Sequence, residues 1–330
     1  MTIYEIAAEA KVSISTVSRV MNCPEKVALP TRMRVQEVLS MHNYSPNAMA
    51  RGLVYNSMKT IGILTSDIRN IHFSIAAYIL ENYFFNHDYS TLLCNTGDDL
   101  SKKKKYIRIL AEKKIDGLIL LGSVFSDPDI ARLLKAYLPE TPILISNGNL
   151  DLPNVYSVFV DQNYGTELLL DHLSKKGYDN IYFIHSNRSP NTMRKMNGFV
   201  KAMKKRDLRL DSNNNILSCQ YSIEGAMKFA RDFLPKIKNR TTCVFFDDYI
   251  ACCGVNAFKE LGLTIPDDVG VAGFDNSRFA LTAYPPLTTV DTKVEEISSI
   301  IATTLHNIFM KIPVGNTTTV YPELVIRKST

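Results

Sequence analysis

Apolar residues recur at helical spacing in three short segments of the first 42 residues. The apolar positions are Ile3, Ile6, Ala7 and Ala10 in the first segment, Val17, Val20 and Met21 in the second, and Val35, Val38 and Leu39 in the third. Spacings of three and four residues predict amphipathic helices. Three such helices form a very small core, so this stretch predicts a small all-α unit.

The pattern changes after Ile61. Short β-rich runs alternate with helical segments such as Phe73–Phe85 and Lys102–Lys114. The runs are Ile61–Leu64, Thr91–Leu93, Leu118–Leu121, Ile143–Ile145, Ile181–Ile184, Ile216–Ser218, Cys243–Phe246 and Val269–Ala272. This alternation is typical of parallel sheets with helices on both faces, and two series of runs predict two doubly wound α/β lobes.

The lobe boundary is expected near Val160–Asp161, between the two series. Residues 288–330 are too few for a third lobe, so we expect them to return through the first lobe and finish in the second. The predicted division is a helical unit at 1–46, a linker at 47–59, a first lobe at 60–160 and 291–319, and a second lobe at 161–290 and 320–330.

Charge is concentrated at the start of the chain. The 330 residues carry a net charge of +5, of which residues 1–60 contribute +3, with seven Lys and Arg against four Asp and Glu. This excess suits contacts with phosphate groups. The lysine run Lys102–Lys105 is expected to be a solvated helix start.

The cysteines and the hydropathy pattern exclude several protein classes. Six scattered cysteines without a CxxC pair indicate reduced, buried thiols and neither a disulfide framework nor a zinc site. No apolar run approaches the ~18 residues that span a bilayer, and the N-terminus has no apolar signal core. We therefore expect a cytoplasmic protein.

The first two helical segments have the features of a helix-turn-helix. Ala7 is the small residue within the first helix, the turn lies at Lys11–Val12, and Val17 and Val20 anchor the second helix. In this motif the second helix lies in the DNA major groove with its N-terminal residues against base edges. Glycine often occupies the turn, and Lys11 costs about 1 kcal/mol if its φ is positive.

A series of short motifs follows in order along the whole chain. In the head these are Thr2-Ile3-Tyr4-Glu5-Ile6-Ala7, Val12-Ser13, Thr16-Val17-Ser18-Arg19-Val20-Met21-Asn22, Tyr44-Ser45-Pro46-Asn47 and Ala50-Arg51-Gly52-Leu53. Downstream they are Asp116-Gly117, Asp161, His172-Leu173, Gly177, Pro266-Asp267-Asp268-Val269, Gly273-Phe274-Asp275 and Pro285-Pro286-Leu287-Thr288-Thr289-Val290. Together these motifs resemble the lactose/galactose-repressor (LacI/GalR) family. The resemblance implies a DNA-binding head on a body like that of periplasmic sugar-binding proteins.

The resemblance also implies a set of DNA contacts. They are Thr2, Ile14, Ser15, Thr16, Ser18, Arg19, Asn22, Asn47, Ala50, Arg51 and Leu53. Ile14 and Ser15 begin the recognition helix, where Ile14 can contact a thymine methyl. Arg19 can bond guanine bidentately, or it can be solvated or bound to phosphate. Thr16, Ser18 and Asn22 suit phosphate contacts that fix register.

Residues 48–55 resemble the family's hinge helix. Such a short segment holds no helix alone in water and is expected to order on DNA. Leu53 would then wedge into a base step of the minor groove and kink the duplex. The alternative is that Leu53 packs against the first lobe.

The family's architecture places an effector between the two lobes, at the carboxyl ends of the strands. The cleft-facing positions are polar or aromatic, as a polyhydroxyl ligand requires: Asp67, Asn70, Phe73, Asp161, Arg194, Lys195, Asp247 and Asp275. Asp161 and Asp275 could instead cap the helices that follow them. Lys195, with Arg194 beside it, stands where the family has Arg, and Asp247 stands where it often has Asn. Several carboxylates argue against an anionic ligand.

These features predict a homodimeric, effector-controlled repressor of a carbohydrate-utilisation operon, released from operator DNA by a sugar-like ligand. Control by a corepressor (a nucleobase or a phosphocarrier protein) is the main alternative, and a pure sugar-binding protein is a weaker one. We expect no enzyme activity, cofactor or metal site, because the six histidines show no metal spacing and no P-loop, GxSxG or GxGxxG is present. The chain end has no heptads, which favours a dimer.

Overall fold

The chain contains two compact units, residues 1–58 and residues 59–330. The computed structural model describes residues 2–42, 44, 57–208, 215–238 and 241–330. Among these residues, no helix is long and apolar enough to cross a membrane.

The first unit contains the three expected helices: α1 (Ile3–Glu9), α2 (Ile14–Asn22) and α3 (Leu29–Met41). A 3-10 turn at Pro24–Lys26 separates α2 from α3. Ile6, Val17 and Val35 are fully buried at the centre of a small apolar cluster. Apolar side chains from all three helices therefore form the core of this unit, as the spacing predicted.

Local hydrogen bonds fix the start of α1 and the turn that follows it. The backbone N–H of Glu5 donates to Thr2 Oγ1 (3.4 Å), and the Thr2 N–H donates to Glu5 Oε2 (2.6 Å). This reciprocal pair is a capping box, and the bond from the Thr2 backbone lowers the pKa of Glu5. Lys11 ends the turn with a positive φ of 53°.

The second unit holds two six-stranded sheets. The first has the order β11-β5-β4-β3-β1-β2, and every pair within it is parallel. Its strands are β1 (Thr60–Thr65), β2 (Ser90–Asn95), β3 (Gly117–Leu121), β4 (Ile143–Ser146), β5 (Val155–Val160) and β11 (Thr317–Val320). Its helices are α4 (Ile71–Phe85), α5 (Leu100–Glu112), α6 (Pro128–Tyr137) and α12 (Val294–Phe309).

The second sheet has the order β12-β10-β9-β8-β6-β7. Its strands are β6 (Asn180–His185), β7 (Ile216–Ser218), β8 (Thr241–Phe245), β9 (Gly270–Phe274), β10 (Thr288–Asp291) and β12 (Glu323–Val325). Its helices are α7 (Gln162–Lys175), α8 (Pro190–Lys205), α9 (Ile223–Phe233), α10 (Asp248–Glu260) and the short α11 (Arg278–Thr282). Only the β10–β12 pair is antiparallel among the pairs described.

Each sheet has apolar clusters on both faces, as a doubly wound lobe requires. In the first lobe α4 and α12 cover one face and α5 and α6 cover the other. In the second lobe α7 and α8 cover one face and α9 and α10 cover the other. The two doubly wound lobes predicted from the sequence are therefore confirmed.

The chain passes between the lobes three times. The first crossing follows β5, the second runs from β10 into α12, and the third runs from β11 into β12. Lys293 at the second crossing has a left-handed backbone, and its Nζ lies 2.6 Å from Glu323 Oε2 of the third crossing. An ion pair thus joins two of the three connecting segments.

The lysine run at the start of α5 is not uniformly solvated. Lys103 is only 6% exposed, whereas Lys102 is exposed. Lys103 Nζ donates to the carbonyl oxygen of Val124 at 3.0 Å and lies 5.2 Å from the centre of the Phe125 ring. The expectation of a solvated run was therefore wrong at Lys103, which secures the turn after β3.

Candidate functional sites: a recognition helix and an interlobe cleft

The start of α2 presents its side chains to solvent. Ser13 caps the helix by accepting a bond from the Thr16 N–H at 3.2 Å, and its Oγ lies 2.8 Å from Ser15 Oγ. Ile14 is 39% exposed, and Ser15 and Arg19 are exposed. The same helix buries Val17 and Val20, so its outer face is free to meet another surface.

The other predicted DNA contacts differ in their surroundings. Thr2 uses its hydroxyl oxygen to cap α1, and its hydroxyl also bonds to the Glu5 carboxylate. Thr16 is partly buried, with its hydroxyl 2.9 Å from Ser13 Oγ. Ser18 is also partly buried on α2. Asn47, Ala50, Arg51, Leu53 and the side chain of Asn22 lie outside the described residues.

The cleft between the lobes is built at the carboxyl ends of the parallel strands. β1 leads into the loop with Asp67 and Asn70, β8 leads to Asp247, and β9 leads to Asp275. Because the strands within each sheet run parallel, these loops gather along one edge of each lobe. The sequence places polar residues at each of these strand ends.

Lys195 and Asp275 come together in the second lobe. Lys195 Nζ lies 3.7 Å from Asp275 Oδ1 and donates to the carbonyl oxygen of Phe246 at 2.8 Å. Asp275 Oδ1 also accepts a bond from the Thr292 hydroxyl at 3.1 Å. Asp275 has a φ of 97°, a strained conformation for a residue with a side chain. Ser277, not Asp275, is the N-cap residue of α11, so the capping alternative is wrong for Asp275.

Two neighbouring carboxyl groups begin α10. Asp247 caps the helix by accepting a bond from the Ile250 N–H at 3.0 Å, and the Tyr221 hydroxyl also bonds to it. Burial, together with the nearby Asp275, raises the pKa of Asp247 to about 6. Burial raises the pKa of Asp248 as well.

Asp248 holds the loop that carries Asp275. Its Oδ2 accepts a bond from the Ser277 N–H at 2.7 Å, and its Oδ1 accepts one from the Thr289 hydroxyl at 2.6 Å. A Cβ on Gly273 would lie 2.3 Å from Asp248 Oδ1. Glycine at 273 therefore permits the close approach of Asp248 to the backbone. Through its two hydrogen bonds, Asp248 fixes the conformation of the loop that carries Asp275.

Three other predicted effector residues make local hydrogen bonds. Asp67 pairs with Arg69 at 2.8 Å, and this contact lowers the pKa of Asp67. Asn70 caps α4 through the His72 N–H at 2.9 Å. Asp161 caps α7 through the Tyr164 N–H at 3.0 Å, which is the alternative that the sequence left open for it. Their ligand contacts stay predictions.

Phe73 packs against the loop after β3. A Cβ on Gly122, which has a φ of 110°, would lie 3.0 Å from the edge of the Phe73 ring. Glycine is therefore required at 122 both for its backbone conformation and for the ring beside it. The Phe73 ring also meets the His72 ring edge to face, with centres 5.8 Å apart.

Direct contacts join the two lobes across the cleft. An Nη of Arg194 donates to the carbonyl oxygen of Asn147 at 2.8 Å, and its guanidinium lies 5.1 Å from the centre of the Phe159 ring. The N–H of Asn191 donates to Ser123 Oγ at 3.0 Å. The start of α8 thus touches the first lobe. Arg194 and Lys195 are neighbours in sequence but have different partners.

Sequence reasoning missed several groups in the cleft. His72 of the first lobe interacts electrostatically with Lys195 and Asp275 of the second, and burial lowers its pKa. Its Nδ1 is buried without a hydrogen-bond partner, as are Asn191 Oδ1 and the hydroxyl oxygens of Thr65 and Ser277. Buried polar atoms without partners are rare and call for an explanation. The position of His72 between Asn70 and Phe73 was the available signal.

The described residues contain no group of three or more His, Cys, Asp or Glu side chains arranged to hold a metal ion. The chemistry of the cleft is that of hydrogen bonding and charge. Its carboxylates accept bonds from hydroxyl or amino groups, and its aromatic faces can stack on a ring.

Comparison with known protein families gives matches at both ends of the chain. Residues 2–47 match the model described as bacterial regulatory proteins, lacI family. Residues 170–330 match the model of a periplasmic binding protein-like domain.

Two curated relatives align with nearly the whole chain. An HTH-type transcriptional regulator from Lachnoclostridium phytofermentans is 32% identical over 333 residues, covering 100% of this chain and 99% of the relative. The HTH-type transcriptional repressor PurR from Photobacterium profundum is 32% identical, covering 99% and 98%.

The fold is also that of a solved regulator. The structure superposes on the Lac repressor, solved as a dimer bound to operator and the anti-inducer ONPF, with a TM-score of 0.88. That match covers 100% of this chain and 98% of the other chain. Because the identity is only 22%, the match establishes a shared fold and no more. On the strength of its full-length relatives, its helix-turn-helix head and its two-lobed body, this chain belongs to the LacI family of bacterial transcriptional regulators.

Proposed function

We propose that this LacI-family regulator is a homodimeric repressor of a carbohydrate-utilisation operon, and that a small sugar-like ligand in the interlobe cleft releases it from its operator. The observation that carries the proposal is the cleft itself. His72 from one lobe interacts electrostatically with Lys195 and Asp275 from the other, and both His72 Nδ1 and the hydroxyl oxygen of Ser277, two residues after Asp275, are buried without hydrogen-bond partners. Hydroxyl groups of a ligand would satisfy them.

DNA recognition is proposed to come from the exposed start of α2. Arg19 carries a guanidinium suited to guanine, while Ile14 and Ser15 offer weaker discrimination. Thr2, Thr16, Ser18 and Asn22 would bind phosphates and set the register. Asn47, Ala50, Arg51 and Leu53 would act through the hinge, with Leu53 in the minor groove.

Exposed apolar side chains support a dimer. On the first lobe they lie on one side of α4 and on the edge strand β2, and on the second lobe they lie near α9 and α11. They are Tyr78 (70% exposed), Phe85 (70%), Leu93 (47%), Ile223 (66%), Leu281 (62%) and Tyr284 (76%). Contiguous apolar patches on a surface mark interaction sites, and these exposed side chains are the ones that we propose the dimer contact covers. Two heads on a pseudo-palindrome roughly double the binding free energy of one.

Control is proposed to work by population shift. A ligand that binds the closed lobes better than the open lobes favours closure in proportion to its differential affinity. Closure would rotate the first lobes of the dimer against each other and separate the paired hinge segments. The contacts from Arg194 to Asn147 and from Asn191 to Ser123 are ones that closure would make and opening would break.

The test combines a ligand screen with operator binding. A sugar that binds the cleft at 100 times its Kd should add about 2.7 kcal/mol to the free energy of unfolding. The same sugar should weaken operator binding by the wild-type protein and should leave operator binding by the Asp275→Asn variant unchanged. Asp232→Asn, an exposed carboxylate on α9, is the matched control. Tighter operator binding with ligand would establish corepression, and an unaltered response in Asp275→Asn would contradict the proposed site.

A further inference from the structure

The cleft face of the second lobe holds more negative than positive charge. Asp247, Asp248 and Asp275 lie close to one another, and Asp247 and Asp275 interact with one ammonium, that of Lys195. The guanidinium of Arg194 is turned toward the first lobe, where it contacts the Asn147 carbonyl oxygen and the Phe159 ring. Asp248 is occupied internally, because both of its oxygens accept bonds from the Ser277 N–H and the Thr289 hydroxyl. Asp247 and Asp275 accept internal bonds too, Asp247 from the Ile250 N–H and the Tyr221 hydroxyl and Asp275 from the Thr292 hydroxyl. Unlike Asp248, these two carboxyl groups interact with a cation, and both interact with the same one, Lys195.

The Lys195 ammonium is directed into the lobe. Its side chain is 4% exposed, and it donates to the carbonyl oxygen of Phe246. It also lies 4.3 Å from the centre of the Phe274 ring. A ligand anion could reach this ammonium only by displacing those contacts, so Lys195 does not provide an open anion site.

Three buried atoms of the interlobe region can each accept a hydrogen bond and lack a partner. Asn191 Oδ1 accepts only, His72 Nδ1 accepts in one neutral tautomer, and both are buried. Ser277, two residues after Asp275, is 7% exposed and its hydroxyl has no partner. A ligand that satisfies this set must supply several hydrogen-bond donors.

Asp247 lies beside a cluster of aromatic rings, because its carboxyl group bonds to the Tyr221 hydroxyl. The centre of the Tyr221 ring lies 5.0 Å from the centre of the Tyr249 ring and 5.9 Å from that of the Phe246 ring. The centres of the Tyr249 and Phe279 rings are 5.2 Å apart. Ring faces attract cations, and the attraction strengthens when water is excluded. A positive group beside Asp247 would therefore meet a carboxylate and aromatic rings together.

We propose that the effector carries a protonated amine, as an amino sugar or another polyhydroxylated amine does, and that this amine lies against Asp247 and Asp275. The proposal rests on the proposed function, because it assigns a chemical class to the ligand of the same cleft. The amine supplies both the missing positive charge and hydrogen-bond donors. Hydroxyl groups of the ligand satisfy the remaining acceptors.

The charge of Asp247 gives the site a characteristic pH dependence. Burial and the neighbouring Asp275 raise the pKa of Asp247 to about 6, while the Tyr221 hydroxyl and Lys195 oppose that shift. Burial lowers the pKa of His72, which favours its neutral form. A bound ammonium favours the ionised carboxylate, so amine binding strengthens as pH rises through 6. A neutral sugar gains nothing from that ionisation.

The experiment compares matched sugars on the full-length protein by calorimetry at pH 7.5 and pH 5. The probes are glucosamine, glucose and N-acetylglucosamine, and the three corresponding galactose compounds. The expected result is that an amine binds about tenfold or more tightly than its neutral parent and its acetylated form. Asp247→Asn should reduce this ratio toward one, because an asparagine still caps α10 but carries no charge. Asp232→Asn should keep the ratio.

Three results would overturn the inference: tighter binding of a neutral sugar, no binding of either amine at millimolar concentration, or an amine preference unchanged in Asp247→Asn and at pH 5. Operator binding separates this inference from the proposed function. If a neutral sugar binds and alters operator affinity, the proposed function stands and the proposal of an amine-bearing effector is rejected. If an amine binds without altering operator affinity, the amine site stands and the proposed function is rejected.

Discussion

Lys11 holds a backbone conformation in which a side chain is unfavourable. Its φ of 53° lies in the left-handed region, and its N–H donates to the carbonyl oxygen of Ala8 at 3.2 Å, as at many helix ends that carry glycine. Lys11→Gly should stabilise the head by about 0.5–1 kcal/mol. Hydrogen exchange of the Ile6 and Val17 amides measures this locally. Lys11→Ala removes the same charge but keeps the Cβ, so a gain of equal size there would contradict the explanation.

Arg19 is exposed on α2, where it could contact either a base or a phosphate. The two kinds of contact differ in whether the loss of affinity on mutation depends on the operator sequence. Arg19→Ala should weaken operator binding by about 1–3 kcal/mol, and the loss should depend on the base at one operator position. Fluorescence anisotropy on operators that differ at single base pairs measures the dependence. An equal loss on all sequences, including random DNA, would instead identify Arg19 as a phosphate contact.

Asp247 should destabilise the ligand-free protein at neutral pH. A carboxyl group whose pKa is raised in the folded state contributes stability below its unfolded pKa, and loses it as pH rises through the folded value of about 6. Asp247→Asn should therefore raise Tm at pH 7.5, by an amount equivalent to no more than about 3 kcal/mol. The gain should shrink toward pH 4. A gain independent of pH would mean that packing, not charge, explains it.

The roles of individual polar residues were the hardest feature to predict from the sequence. Asp161, Asn70 and Asp247 all cap helices, while Asp275 does not cap the helix that follows it. A carboxylate before a helix looks the same in sequence whether it caps, binds a ligand or does both. The sequence pattern could not predict the raised pKa of Asp247, because that pKa arises from burial and from the nearby Asp275, which are properties of the folded chain.

At the scale of elements, periodicity predicted most of the fold. All eight predicted strands are present, because buried parallel strands form continuous apolar runs that alternate with amphipathic helices. The sequence pattern did not predict β5 or the short strands β10, β11 and β12 as individual strands. The last two have only four and three residues and depend on pairing with β5 and β10, which are far away in sequence.

The start of α5 gives a test within a single element. Lys103→Ala should destabilise the first lobe by about 1–3 kcal/mol, because it removes a buried donor and leaves the Val124 carbonyl oxygen without it. Lys102→Ala, one residue away and exposed, should change the free energy of unfolding by less than about 0.5 kcal/mol. Urea unfolding measures both. Equal effects would show that the lysines act only through the charge of the run.

At the scale of the whole molecule, the proposed dimer depends on which surfaces remain apolar after folding. Phe85 on α4 and Tyr284 after α11 are 70% and 76% exposed, one on each lobe. Burying them between two copies would remove a large apolar area from water, and each Å² of buried apolar area stabilises the dimer by about 25 cal/mol. A charge placed at both positions would have to be desolvated in the same contact.

The double variant Phe85→Glu with Tyr284→Glu should therefore be monomeric at micromolar concentration and should bind a full operator no more tightly than a half-site. Sedimentation equilibrium and anisotropy measure the two effects. Tyr137→Glu is the matched control, because Tyr137 is an exposed aromatic residue on α6, which covers the other face of the first sheet from α4. A double variant that stays dimeric would place the interface elsewhere. Monomers with undiminished operator binding would refute the need for paired heads.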